Sequence, residues 1–250
     1  MYNYIYTPSN IDLDRITSCL SKSSTLSRDK LGFIITTILH LDSMRSSKTV
    51  EENGVEYVLL HSHILKKYLY NYKEAVDFLK EHRAIHTTKG YEPNVRSIGY
   101  KVNMSINDSI QSYSITDSRF QQGLKTKTNA RKHIGSTGLK PHQALDRWFS
   151  TDKLEFDGKN AKKIYKSLEI SKKLSLQQMQ SYQYSIARSE NKDYWNGRDC
   201  VSMRYHSPLT NMKSDFRSCF NYDNQKLYQI DVVNCQPYLL QTLFNPQFAT

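Results

Sequence analysis

The 250-residue chain has no apolar run near the roughly 20 residues needed to span a bilayer. Its opening Met-Tyr-Asn-Tyr-Ile-Tyr lacks the basic n-region and apolar h-region of a secretory signal, so neither a span nor a leader is expected. The four cysteines, Cys19, Cys200, Cys219 and Cys235, form no Cys-x-x-Cys pair, which speaks against a zinc ribbon or a redox motif. Scattered single thiols fit a reducing cytoplasm better than a disulfide framework. Internal repeats and low-complexity tracts are absent as well.

Acidic residues are scarce: 24 Asp and Glu face 35 Lys and Arg, for a net charge of +11 and a pI of about 9.3. That balance attracts polyanions, either nucleic acid or an acidic membrane surface, and is silent about fold. The alternative is a solvated basic surface without a partner. The 18 tyrosines can pack in a core or stack on bases.

Ile11 to Leu20 reads as a brief helix capped by Ser9 or Asn10. Ser27 reads as the N-cap of a longer one, with Asp29 where the helix dipole favours a negative charge. Leu31, Ile34, Ile35, Ile38 and Leu39 recur at helical spacing and predict one buried face. Glu51-Glu52-Asn53-Gly54 predicts a turn. Ser62 can then cap a helix through Leu69, and Asn71 a helix with Tyr72, Ala75, Val76 and Leu79 on its apolar face. Ile85 to Thr88, a Lys89-Gly90 turn and the strand Gly99 to Val102 follow.

Two helices, a tight turn and a hairpin are the parts of a winged helix, whose second helix enters the major groove. That helix offers Lys73, Lys80, His82 and Arg83, and the hairpin tip offers Lys89 and Arg96 to phosphates. A small packing module, or a protein-binding adaptor, has the same parts.

Periodicity fades from Met104 to Lys140. Between Arg119 and Lys140 there are six Lys or Arg and no Asp or Glu, among them Lys125, Lys127, Arg131 and Lys132. The segment reads as a polar linker able to track a phosphate backbone, or as a plain inter-domain connection. Beyond it, Pro141 to Phe149 and Ala161 to Leu168 read as helices, with a turn at Asp157-Gly158. A longer helix, Leu174 to Glu190, has Gln177, Gln178, Gln180 and Gln183 expected on its solvated side. Asn196-Gly197 signals a turn, and Cys200 to Tyr205 a strand.

The last fifty residues hold a denser pattern. Arg204, Ser207, Asn211 and Met212 are followed by Arg217 and Phe220, a polar turn, and Leu227-Tyr-Gln-Ile-Asp231. The order is strand, helix, turn, strand, helix, with Asp231 ending the last strand. A carboxylate so placed can bind Mg²⁺, and arginines near it can neutralise phosphates; it can equally cap the following helix.

This order resembles the palm of family A DNA polymerases and, more loosely, the bacteriophage single-subunit RNA polymerases. In that family an Arg-x-x-Ser-x-x-x-Asn-Leu segment touches the primer–template duplex, an Arg-x-x-Phe follows, and a strand ends in the motif A aspartate. The resemblance, over residues 198 to 244, implies Asp231 as the ligand of Mg²⁺ in two-metal phosphoryl transfer. It further implies Arg204 and Asn211 at the duplex, with Arg217 supporting the strand of Asp231. The chain departs from the family after Asp231, where Val232-Val233-Asn234-Cys235-Gln236-Pro237 stands in place of Asp-Tyr-Ser-Gln-x-Glu. The lysine-bearing fingers helix and the motif C carboxylates have no counterpart within these residues. A downstream segment or subunit is expected to complete the site.

The expected fold is α+β: a winged-helix-like nucleic-acid-binding domain over residues 1–103, a basic polar linker over 104–140, then helices leading into a partial polymerase-like palm over 141–250. The expected function is the N-terminal portion of a family A-like template-directed polymerase or replication protein of a phage or mobile element. It would be cytoplasmic and Mg²⁺-dependent, with DNA a better fit than RNA. A non-enzymatic DNA-binding initiator or regulator is the alternative.

Overall fold

A computed structural model describes residues 3–21, 23–44, 48–90, 97–133, 148, 152–172, 174–194, 197–198 and 205–228; for residues 127–133, 172 and 197–198 it describes the backbone alone. The fold is α+β, as expected. Strand β1 (Tyr4–Pro8) and the short helix α1 (Leu13–Ser18) lead into α2 (Arg28–Ser43). The cap of α1 is Asp12, whose Oδ1 accepts from the Arg15 N–H at 3.0 Å, rather than Ser9 or Asn10. Ser27 caps α2, its Oγ accepting from the Lys30 N–H.

All five apolar residues of the α2 stripe are buried. Each such side chain contributes roughly 1.5–3 kcal/mol of transfer free energy, which makes α2 the axis of the first core. Gly32 lets β1 lie directly against α2, since a Cβ there would collide with Ile5 and Leu13.

Strands β2 (Thr49–Glu52) and β3 (Val55–Leu59) form an antiparallel hairpin. Asn53 and Gly54 close it, both with positive φ (55° and 73°), as a two-residue turn matched to strand twist requires. Helices α3 (Ser62–Tyr68) and α4 (Tyr72–Glu81) follow, then β4 (Ile85–Thr87) and β5 (Gly99–Val102). His61, not Ser62, takes the cap position of α3, and Asn71 makes no side-chain cap on α4; its Nδ2 donates to Thr25 Oγ1 instead. The sheet order is β2-β3-β5-β4, antiparallel throughout.

Residues 110–114, within the segment expected as linker, are strand β6 (Ile110–Ser114), paired along its whole length with β1 from Tyr4↔Ser114 to Pro8↔Ile110. Helix α5 (Ser118–His133) follows, with Leu124 buried and Phe120 edge-on to Phe33 of α2 at 5.7 Å. Asp29 accounts for the departure from a linker. Its carboxylate, 2% exposed, accepts from the Thr116 N–H (2.7 Å), the Thr116 hydroxyl (3.1 Å) and the Asp117 N–H (2.6 Å), pinning the β6–α5 junction to the start of α2.

A second, smaller core gathers around β7 (Leu154–Phe156), α6 (Gly158–Lys172) and α7 (Leu176–Glu190). Asp157-Gly158 is a helix start rather than a free turn, the Asp157 Oδ1 accepting from the Asn160 N–H at 3.0 Å. Ser175 and Gln178 close a capping box on α7. The described chain ends with β8 (Gly197–Arg198), β9 (Tyr205–His206), α8 (Pro208–Asn211), α9 (Ser214–Arg217), β10 (Phe220–Tyr222) and β11 (Gln225–Lys226). Strand β9 pairs with β8, and β10 lies between β7 and β11. The expected helix Pro141–Phe149 lies outside the described residues, apart from Trp148.

Helix α7 belongs to both cores. Tyr184 and Ala187 join the first, Met179 and Ile186 the second. Its glutamines are not its solvated side: Gln180 is 3% exposed, Gln177 donates to Asp42 Oδ1 (3.1 Å), and Gln183 donates to the Tyr165 hydroxyl (3.0 Å). Polar atoms also join the halves. The buried Tyr6 hydroxyl donates to Asp193 Oδ2 at 3.2 Å, and the Arg188 guanidinium lies 3.6 Å from the same carboxylate. Burial, with Asp193 next in weight, pushes the Tyr6 phenol upward. Burial and then the Arg188 charge lower His40 to about 4.

Candidate nucleic-acid interface

Ala75, Val76 and Leu79 turn one side of α4 into the first core, leaving Lys73, Glu74, Asp77, Lys80 and Glu81 exposed. The helix stops where Arg83 turns left-handed (φ 55°) and the Ala84 N–H donates back to the Leu79 carbonyl at 2.8 Å. Chain reversal at Arg83 launches β4. The Asn103 side chain holds the reversal by donating to the Arg83 carbonyl at 2.9 Å.

Lys73, Lys80, Arg83 and Lys89 are all exposed, as a phosphate-contacting role requires. Acids are interleaved with them. Lys80 Nζ lies 3.8 Å from Asp77 Oδ1, and the Lys89 backbone N–H donates to Glu52 Oε2 at 3.3 Å, so the turn after β4 sits against the acidic β2–β3 hairpin. His82 stacks edge-on against Phe78 at 4.3 Å. Arg96 lies outside the described residues. Helix α4 therefore presents a mixed face rather than a positive one.

Lys125 is exposed on α5, and the same helix carries Lys127, Arg131 and Lys132 further along. Sequence reasoning passed over Lys66 and Lys67, both exposed on α3. The signal for them was the absence of any acid between Glu56 and Glu74.

In the C-terminal constellation, Ser207 caps α8 in a capping box with Thr210. Exposed Asn211 sits with its Oδ1 3.3 Å from His206 Nδ1. Arg217, half-buried, donates from Nε to the Met212 carbonyl at 3.2 Å, so it closes the α8–α9 turn. That bond places Asn211 and Arg217 at either end of one short segment. Arg204 and Asp231 lie outside the described residues. Among the described residues no group of three His, Cys, Asp or Glu side chains is placed to hold a metal ion, and no helix is long and apolar enough to cross a membrane. Asp231 is the one carboxylate that the polymerase resemblance supplies, and one carboxylate is too few to hold a pair of catalytic Mg²⁺ ions.

In comparison with known proteins, the chain matches no family model, no curated protein and no solved structure.

Proposed function

We propose that the chain is a nucleic-acid-binding protein whose N-terminal half works as a winged-helix-like module. The observation that carries this reading is the order α2, β3, α3, α4, β4, β5 with β5 between β3 and β4 in the sheet, joined to a net charge of +11. A helix, a strand, two helices joined by a short turn, and a hairpin whose second strand returns to the first strand make up the winged-helix plan. Beside these elements the sheet has a further edge strand, β2. A basic chain of this kind gains affinity by releasing counterions from phosphates.

The test is fluorescence anisotropy of a labelled duplex DNA with the full chain at several salt concentrations. The expected slope of log affinity against log salt is about −0.9 for each phosphate neutralised. Absence of binding at low salt, or a flat response, overturns the reading.

A second reading makes the chain the N-terminal portion of a family A-like polymerase or replication protein of a phage or mobile element. Its support is the run Arg204, Ser207, Asn211, Arg217, Phe220, Asp231, in which Ser207 caps a helix and Phe220 opens a strand. The residues then act as Mg²⁺ ligand (Asp231) and duplex contacts (Arg204, Asn211), with further carboxylates supplied by a downstream segment. Primer extension by the chain joined to its downstream reading frame tests it: Asp231→Asn abolishes extension if the reading holds, and extension that survives the substitution sinks it. A protein that binds duplex DNA and never extends a primer is the non-enzymatic initiator or regulator instead.

A further inference from the structure

We infer that the surface that takes up the phosphate backbone of duplex nucleic acid is formed by α3 and α5, not by α4 and the β4–β5 turn. The inference rests on the nucleic-acid-binding reading above and names the site within it.

The two helices lie in contact. Both rest on one side chain: Phe33 of α2 meets Tyr68 of α3 at 5.3 Å and Phe120 of α5 at 5.7 Å. Neither helix contains an Asp or Glu. Lys66 and Lys67 on α3, with Arg119 and Lys125 on α5, are exposed. Helix α5 then runs on through Lys127, Arg131 and Lys132. Sixteen residues make α5 about 24 Å long, enough to follow several successive phosphates of one strand.

Helix α4 has the opposite balance, with Lys73 and Lys80 against Glu74, Asp77 and Glu81. The β4–β5 turn, through the Lys89 N–H on Glu52, sits against the β2–β3 hairpin, which carries Glu51, Glu52 and Glu56. Three carboxylates on the helix that would enter a groove repel the phosphates flanking that groove, at distances within the Debye length of about 8 Å at physiological salt. The sum of charges over α3 and α5 therefore sets the orientation of docking.

An anionic membrane is the other polyanion. After Leu124 the sequence of α5 has no large apolar residue, so it offers no face to insert between lipids. The spacing of cations without an apolar stripe fits phosphates held in water, and fits contacts that position a duplex without reading its bases.

The experiment compares two variants of the full chain: Lys66→Gln/Lys67→Gln/Lys125→Gln, and Lys73→Gln/Lys80→Gln. All five lysines are exposed, and thermal melting of each variant checks that the fold is kept. Probes are two labelled duplexes of unrelated sequence and, separately, phosphatidylserine vesicles. The triple variant is expected to lose at least tenfold in affinity, equally on both duplexes, with the salt slope shallower by about 1 per lysine. The α4 variant is expected to stay within about twofold of the parent. Loss in the α4 variant with the triple variant unchanged overturns the inference, as does equal loss in both. Parent protein that binds vesicles and ignores both duplexes removes the nucleic-acid reading itself, a different outcome from either.

Discussion

The two hydrophobic cores are built in different ways. The first is organised by one long helix, α2, whose stripe of branched and long aliphatic side chains is packed among β1, α4, β3 and β5 of the four-stranded sheet, and α7. The second is closed by short elements against two helices: Leu154, Phe216 and Phe220 meet Ala161, Tyr165 and Leu168 of α6 and Met179 and Ile186 of α7, with Tyr182 edge-on to Phe216 at 5.3 Å and Phe156 tilted against Phe220 at 4.9 Å. A core closed by short pieces depends on a few large rings, whereas a core along one helix shares the load among many aliphatics. The difference teaches that loss of one side chain will be local in the first core and structural in the second. Helix α7, which serves both, is where the contrast is open to test.

The strongest test is Phe220→Ala. It should cost about 3–5 kcal/mol, the usual range for a buried phenylalanine. In a Trp195→Phe background, which leaves one tryptophan, Trp148, packed 5.5 Å from Tyr222, reports on the second core by fluorescence during urea unfolding. Hydrogen exchange of the α2 amides reports on the first. Loss of Trp148 signal with α2 protection intact keeps the cores distinct; equal loss in both makes them one cooperative unit. Next in size is Asp29→Ala, expected to cost about 3 kcal/mol because three donors lose a buried carboxylate. Its effect should appear in exchange of the β6 and α5 amides and leave Trp148 unchanged.

A smaller effect follows from His40 at the junction of the halves. Its folded value, about 4, lies below the usual 6.5, so the unfolded chain binds a proton that the folded chain refuses. Its contribution is complete above about pH 6.5 and is lost as pH falls toward 4, on the order of 1–3 kcal/mol. Urea midpoints at pH 7, 6 and 5 should fall in the parent and fall less in His40→Leu; parallel declines would sink the assignment. The smallest is Tyr6→Phe, which deletes the bond to Asp193 and should cost about 1–2 kcal/mol. If Tyr6→Phe moves only one of the two reporters, the junction does not couple the cores.

Much of the first core was legible in the sequence. Helix α2, its cap at Ser27, α4 and β5 follow from periodicity and capping chemistry, which are local properties. The pairing of β1 with β6 was not legible. Ile110-Gln-Ser-Tyr-Ser has the composition of a linker and becomes a strand because a partner lies about a hundred residues upstream and Asp29 anchors its end. The glutamines of α7 misled for a related reason: polarity predicts solvent unless the partner is known, and Asp42 and Tyr165 lie on other elements. At the candidate interface, exposure of Lys73, Lys80, Arg83 and Lys89 was foreseeable, as were Glu74, Asp77 and Glu81 on the same helix, whereas Glu52 beside Lys89 comes from a hairpin 37 residues upstream. Charge counted along the chain does not give charge summed over a surface.

The pairing of β1 with β6 also carries a consequence for the nascent chain. Residues 4–8 leave the ribosome about a hundred residues before 110–114. At the usual 5–20 residues per second, roughly 5–20 s pass in which α2, the four-stranded sheet and α4 can assemble while β1, its other edge held by Thr36 of α2, waits with its β6-facing edge open. An open strand accepts any compatible edge, including that of a second chain emerging from the same messenger. Slowing translation between residues 20 and 110 should therefore raise the yield of strand-exchanged dimers, and a synthetic peptide of residues 108–116 supplied in that interval should suppress them.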